Sequence, residues 1–240
     1  MNLIIDIGNT QFKVCIFENN KIIYHHYINN ISKIFIDNLV KEYAISKVIY
    51  SDTRGVNSEE FLDKIPGNFK IIELTHKTPL PIKLDYATPE TLGKDRIAGT
   101  VAAATLFIDC ASLVIDIGTA ITIDFVNENG VFKGGVISPG PETRFKSLHD
   151  NTGKLPLINP TENVEILGNS TEKAIQSGVQ NGILYEINGY ISRFKEQYPE
   201  LNVILTGGYA FLFEKNINYP IFADSFLIPK GLNRILIYNE

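Results

Sequence analysis

One segment of this chain occurs twice, and that repetition limits the folds open to it. Leu3-Ile4-Ile5-Asp6-Ile7-Gly8-Asn9-Thr10 returns as Leu113-Val114-Ile115-Asp116-Ile117-Gly118-Thr119-Ala120. Each copy reads as an apolar strand ending in aspartate, then a tight glycine turn. A second strand-like run follows, Phe12 to Phe17 in one half and Ile121 to Val126 in the other. Turn signals come next, Glu18-Asn19-Asn20-Lys21 and Asn127-Glu128-Asn129-Gly130, before third strands at Ile22 to Ile28 and Val131 to Ser138. Each half therefore opens with a three-stranded antiparallel meander.

After each meander the spacing becomes helical. Ile31, Ile34, Phe35, Leu39 and Val40 form one stripe, and Lys47 to Tyr50 reads as a buried strand. Past Pro79 and Pro81, a helix is predicted from Thr88-Pro89 through Asp95 to about Phe107. In the second half, Asn169 with Glu172 forms a capping-box pattern opening a long helix through Ala174, Ile175, Val179, Ile183, Ile187 and Ile191, followed by a strand at Leu201 to Leu205. The expectation is an α/β fold of two similar lobes, residues 1–108 and 109–240, with a cleft between them.

Composition narrows the function classes. In 240 residues, 22 Lys and Arg stand against 27 Asp and Glu for a net charge of −5, and no basic run could neutralise a row of phosphates, so nucleic acid is not an expected partner. Cys15 and Cys110 are too few for a disulfide framework or a thiolate metal site, which suits a reducing cytoplasm. The segment Met1 to Asp6 has no basic start and carries an acid where a secretion signal needs apolar residues. The longest nearly apolar run, Ile97 to Ile108, falls short of the roughly twenty residues that span a bilayer.

Asp6-Ile7-Gly8-Asn9-Thr10 places a carboxylate at a strand end beside backbone N–H groups and a hydroxyl, an arrangement able to face phosphate while the acid holds a metal ion through water. A single copy is equally an ordinary turn. Its recurrence at Asp116-Ile117-Gly118-Thr119-Ala120 points instead to phosphates gripped from two sides. Lys13 follows the first turn and could reach a phosphate, or be an exposed strand lysine. Leu205-Thr206-Gly207-Gly208 would let backbone lie against a flat ligand, though alone it is a turn. Gly134-Gly135-Val136-Ile137-Ser138-Pro139-Gly140 reads as scaffold, a bulge and corner before a helix. Gly93-Lys94-Asp95-Arg96 offers an acid and a cation pointing different ways on a helix, so that one can act on a hydroxyl and the other hold an anion; a solvated helix surface has the same composition. His25, His26, His76 and His149 show no metal spacing, and neither a Gly-x-Ser-x-Gly elbow nor a phosphate loop of the Gly-x-x-x-x-Gly-Lys type is present.

In this order, Asp6-x-Gly-Asn-Thr10, Gly93-x-Asp-Arg96, Asp116-x-Gly-Thr-Ala120, Gly134-Gly-x-Ile-x-Pro-Gly140 and Thr206-Gly-Gly208 resemble the type III pantothenate kinases over nearly the whole chain. The hairpins belong to the wider actin, sugar kinase and 70-kDa heat-shock superfamily, and the Gly-x-Asp-Arg element is more specific to this family. The resemblance implies an actin-like, ribonuclease H-like fold and transfer of the γ-phosphoryl group of ATP to the primary hydroxyl of pantothenate, opening coenzyme A synthesis. It implies Asp95 as general base, and substrate contacts at Tyr86, Gly93, Lys94, Arg96 and Thr171. ATP would be held by Asp6, Gly8, Asn9, Thr10, Lys13, Gly118, Thr119, Gly207 and Gly208, with magnesium on Asp6 through water. Asp116 matches the ligand of a potassium or ammonium ion. A homodimer with the substrate pocket at the subunit contact is implied as well. Residues 141–156 map onto no motif.

Two other classes share part of this pattern. Another small-molecule kinase of the superfamily would keep both hairpins, but not Gly93-Lys94-Asp95-Arg96 with Tyr86, and would carry inserted subdomains for which this chain is too short. A non-catalytic nucleotide-binding regulator would not need the full acidic set Asp6, Asp95, Asp116 and Asp124.

Overall fold

Both copies of the repeat fold alike. In the first, β1 (Asn2–Ile7) pairs antiparallel with β2 (Phe12–Glu18), and β2 with β3 (Lys21–Ile28). Next come α1 (Lys33–Glu42), β4 (Lys47–Asp52) parallel to β1, and β5 (Lys70–Glu73) parallel to β4, giving the order β3-β2-β1-β4-β5. A short strand β6 (Lys83–Leu84), a 3₁₀ turn (Pro89–Thr91) and α2 (Lys94–Leu106) follow. In the second copy β7 (Ser112–Ile117), β8 (Ala120–Val126), β9 (Val131–Pro139), β10 (Asn202–Thr206) and β11 (Phe222–Ala223) take the equivalent order β9-β8-β7-β10-β11. Its helices are α3 (Pro141–Asp150), α4 (Thr171–Gln176), a π-helical stretch (Ser177–Asn181) and α5 (Gly182–Gln197), and the chain closes with α6 (Leu227–Tyr238). This computed structural model describes residues 1–8, 10–55, 63, 65, 66 and 69–240.

The chain forms two compact units: residues 1–106, 130–132 and 226–240, and residues 107–129 and 133–225. The main division thus falls after Leu106 rather than after residue 108, and two later segments return to the first unit. Val131 and Phe132 pair with Lys83 and Leu84 in the first unit, and so does α6 join it. That helix buries Leu227, Ile228, Leu232, Ile235 and Leu236 against α2 and the first sheet. Burial of side chains this large is worth on the order of 2 kcal/mol each, which outweighs the nearness of the helix in sequence to the second unit. Pro229 lies in its first turn, where no intrahelical N–H is lost.

Buried Asn233 ties α6 to two other elements. It accepts from Asn2 Nδ2 at 2.9 Å and donates to Asn20 Oδ1 at 3.2 Å. Asn19 and Asn20 occupy the left-handed region, φ 46° and 65°, closing the β2–β3 hairpin as an asparagine pair can.

Local expectations differ from the structure in three places. The helix predicted from Pro89 breaks into a 3₁₀ turn and α2, which starts at Lys94 and so puts Asp95 in a first turn. In α1 the buried residues are Ile36 and Leu39, while Ile34 is 73% exposed and Ile31, buried, lies ahead of the helix. Ser170 rather than Asn169 caps α4, its hydroxyl accepting from the Lys173 N–H. Part of the unmapped segment 141–156 is α3. No helix among the described residues is long and apolar enough to cross a membrane.

Asn233→Ala leaves Asn2 and Asn20 without their shared partner inside the first unit. The expected loss is about 1–3 kcal/mol of unfolding free energy by urea titration, the scale of a broken buried polar network.

Candidate active site

The first unit gathers one acidic and one cationic group at the end of β1. Asp6 and Lys13 are direct cross-strand partners, and parallel register sets Asp6 beside Ser51 on β4. The Ser51 hydroxyl donates to Asp6 Oδ1 at 2.8 Å in a buried contact. The glycine turn is closed by the Gly8 N–H donating to Gln11 O at 3.2 Å. Thr10 is exposed next to it, Lys13 is half-buried, and Asn9 lies outside the described residues.

Burial pushes the Asp6 carboxyl above the ordinary aspartate range; the Lys13 charge and the Ser51 bond pull it back, and the charge of Asp95 pushes it further up. That coupling brings Asp95, expected from sequence as the reactive acid, into the same electrostatic neighbourhood. Asp95 stands half-buried in the first turn of α2, where the helix dipole favours a carboxylate, and its Oδ1 accepts from the Arg96 N–H at 2.8 Å. A Cβ at Gly93 would come within 2.5 Å of that same oxygen, so only glycine leaves the carboxylate its position.

Arg96 is buried, with its guanidinium 5.9 Å from the Tyr86 ring centre and 5.8 Å from that of Phe132, and the two rings lie 5.7 Å apart. Cation–π attraction holds such a charge in an aromatic setting. Lys94 and Gly93 are half-buried beside it.

The second unit repeats the turn. The Gly118 N–H donates to Ala120 O at 3.0 Å, Asp116 is half-buried, and Thr119 is exposed. Gly207, at φ +99°, lies so close that a Cβ would approach Asp116 Oδ1 and the Ile117 backbone within 2.5 Å. Gly207, the first of the paired glycines after β10, therefore packs on the second acidic turn, and both its positive φ and this close approach require glycine there. Thr171, at the start of α4, instead lines a mostly apolar cavity of about 750 Å³ with Thr143, Arg144, Leu148, Ile175 and Val179.

Sequence reasoning missed Ser51 because the strand was ended at Tyr50; the parallel β1–β4 pairing was the signal that could have found it. It also missed Phe132, Glu142 and Tyr209. Glu142, in the first turn of α3, accepts a hydrogen bond from the Tyr209 hydroxyl.

The type III pantothenate kinase family profile matches residues 2–193. Type III pantothenate kinases from Bacteroides fragilis, Phocaeicola vulgatus and Cytophaga hutchinsonii are 46%, 43% and 41% identical to this chain, covering all of it and 99%, 99% and 100% of their own lengths. Among solved structures, the ethanolamine utilization protein EutJ from Carboxydothermus hydrogenoformans matches with TM-score 0.53 at 13% identity, covering 97% of this chain and 89% of that one. The (R)-2-hydroxyglutaryl-CoA dehydratase component A of Acidaminococcus fermentans gives 0.51 at 14%, covering 99% and 96%. These two likenesses concern the actin-like fold alone.

Because the buried Asp6 carboxyl titrates above its unfolded value, its charge opposes folding as pH rises from the unfolded pKa through the raised one. Asp6→Asn is therefore expected to unfold at a higher temperature than the parent at pH 7. The gap should close as pH falls below about 4, where both side chains are neutral in both states.

Proposed function

This chain belongs to the type III pantothenate kinase family, and we propose that it transfers the γ-phosphoryl group of ATP to the primary hydroxyl of pantothenate with Asp95 as the general base. The observation that carries this assignment is the grouping of Asp6, Lys13 and Asp95 in one electrostatic neighbourhood, with Asp95 in the same first turn of α2 as Arg96, whose guanidinium lies beside the rings of Tyr86 and Phe132. Phosphoryl transfer asks the protein for alignment and charge neutralisation more than for covalent chemistry. Asp95 supplies an acceptor for the hydroxyl proton as the oxygen attacks phosphorus, held by the Arg96 N–H and by the start of α2. Arg96, kept in place by the two rings, holds the substrate carboxylate, with Tyr86, Gly93 and Lys94 beside it; Thr171, in the cavity of the second unit, is assigned to substrate by the family pattern alone.

To ATP the family pattern assigns Gly8, Asn9, Thr10 and Lys13 in the first unit and, in the second, Gly118 and Thr119 for phosphate and Gly207 and Gly208 for adenosine. No group of three or more His, Cys, Asp or Glu side chains that could hold a metal ion occurs among the described residues. That suits magnesium, which keeps waters and takes one or two carboxylates plus substrate phosphates. Asp6 is the carboxylate that would hold it, since burial raises its carboxyl above the ordinary range and a bound cation would favour the charged form. Magnesium when bound neutralises phosphate charge. Asp116, a hard oxygen donor half-buried under Gly207, is assigned to the monovalent cation, potassium or ammonium. The cytoplasm and a homodimer complete the assignment.

Asp95→Asn should lower kcat about a hundredfold or more with the unfolding midpoint nearly unchanged, the scale of losing a positioned base. Near-parental turnover in coupled ADP release would remove Asp95 from that role. In the same assay, replacing sodium by potassium should raise pantothenate-dependent turnover, and a flat response would remove the cation assignment from Asp116.

A further inference from the structure

The glycine turn of the second unit is gripped from two directions. From one side, at the start of α3, the Gly140 N–H and the Thr143 hydroxyl both donate to the Thr119 carbonyl, at 2.9 and 2.8 Å. From the other, the Tyr209 N–H donates to the Ile117 carbonyl at 3.0 Å just past the paired glycines. One contact joins the two grips: the Tyr209 phenol donates to the Glu142 carboxylate on the first turn of α3.

We propose that Tyr209 and Glu142 form a latch that sets the spacing between the Gly207–Gly208 loop and the Gly118–Thr119 turn, and so act as positioning residues for ATP. This rests on placing the nucleotide's adenosine and phosphates at those two loops. Adenosine and phosphates are joined covalently at a limited span, so loops free to drift must be ordered at the moment of binding, and that ordering weakens affinity. A tyrosine suits the task, being rigid with two torsions to fix.

The latch is anchored at both ends. α3 is fixed through Arg144, whose Nε donates to Pro139 O at 2.7 Å and whose guanidinium pairs with Glu186 of α5. Ser138 donates to the same Glu186 carboxylate at 2.5 Å. The tyrosine end is fixed by its own backbone bond to Ile117. Burial and the bond to Glu142 push the phenol up to about 12, so it stays a donor across the physiological range.

The test is steady-state kinetics of the full chain with ATP and pantothenate varied separately. Tyr209→Phe and Glu142→Ala should each raise KM for ATP about five- to tenfold, the affinity of one lost hydrogen bond, with KM for pantothenate and kcat within about twofold of the parent. The double variant should be no worse than either single one, since both remove the same contact. Glu142→Gln, which keeps an acceptor for the phenol, should restore the parental value. Thr119→Ala serves as the reference for the nucleotide assignment. If it raises KM for ATP while Tyr209→Phe and Glu142→Ala do not, or if their effects multiply in the double variant, the latch is overturned. Should Thr119→Ala also leave KM for ATP unchanged, the nucleotide placement falls and the latch with it.

Discussion

In each unit a hydrogen bond to the carbonyl that ends the first strand holds the acidic turn in place. The Thr53 N–H and hydroxyl donate to Ile7 O at 3.1 and 2.9 Å, and the Tyr209 N–H donates to Ile117 O at 3.0 Å. In both cases the donor follows a strand parallel to the first one, β4 beside β1 and β10 beside β7. Parallel pairing brings the carboxyl ends of neighbouring strands together, which is where open α/β sheets place their ligands. Asp6 and Asp116, each one residue before those carbonyls, thereby gain fixed backbone settings from a constraint that is purely topological.

The two acids nonetheless have different environments. Asp6 is buried, faces Lys13 across the hairpin and takes the Ser51 hydroxyl, which offset part of the desolvation of its charge. Asp116 faces Thr122 in the register, stands half-buried, and has Gly207 against it. The duplicated frame thus gives the two acids unlike surroundings, because the side chains opposite them differ while the backbone does not, and the unlike roles proposed for them rest on that difference. An acid whose burial opposes folding in the first unit is a stability sacrifice made at the reacting end of the strand.

Much of this was legible beforehand. The repeat announced two copies of one strand frame, and their strand orders proved equivalent. Apolar alternation and asparagine turns located all six meander strands to within about a residue at each end, since period-two patterning and turn chemistry act locally. The start of α2 was not legible, because Thr88-Pro89 satisfies a helix-start pattern that the chain uses for a single 3₁₀ turn. α6 was hidden by Pro229 and Gly231, which interrupt its pattern, and its membership of the first unit follows from packing rather than from order in the chain.

By itself the sequence determined the two-copy α/β plan, the acid at each strand end, and the family signature at Gly93-Lys94-Asp95-Arg96. Tertiary structure alone decided which distant groups meet those residues: Ser51 against Asp6, Phe132 against Arg96, Asn233 between Asn2 and Asn20, and Glu142 on Tyr209. The reason is that residue patterning encodes the direction a side chain faces within its own element, whereas partners come from the register between elements, and register is set by the packing of the whole unit.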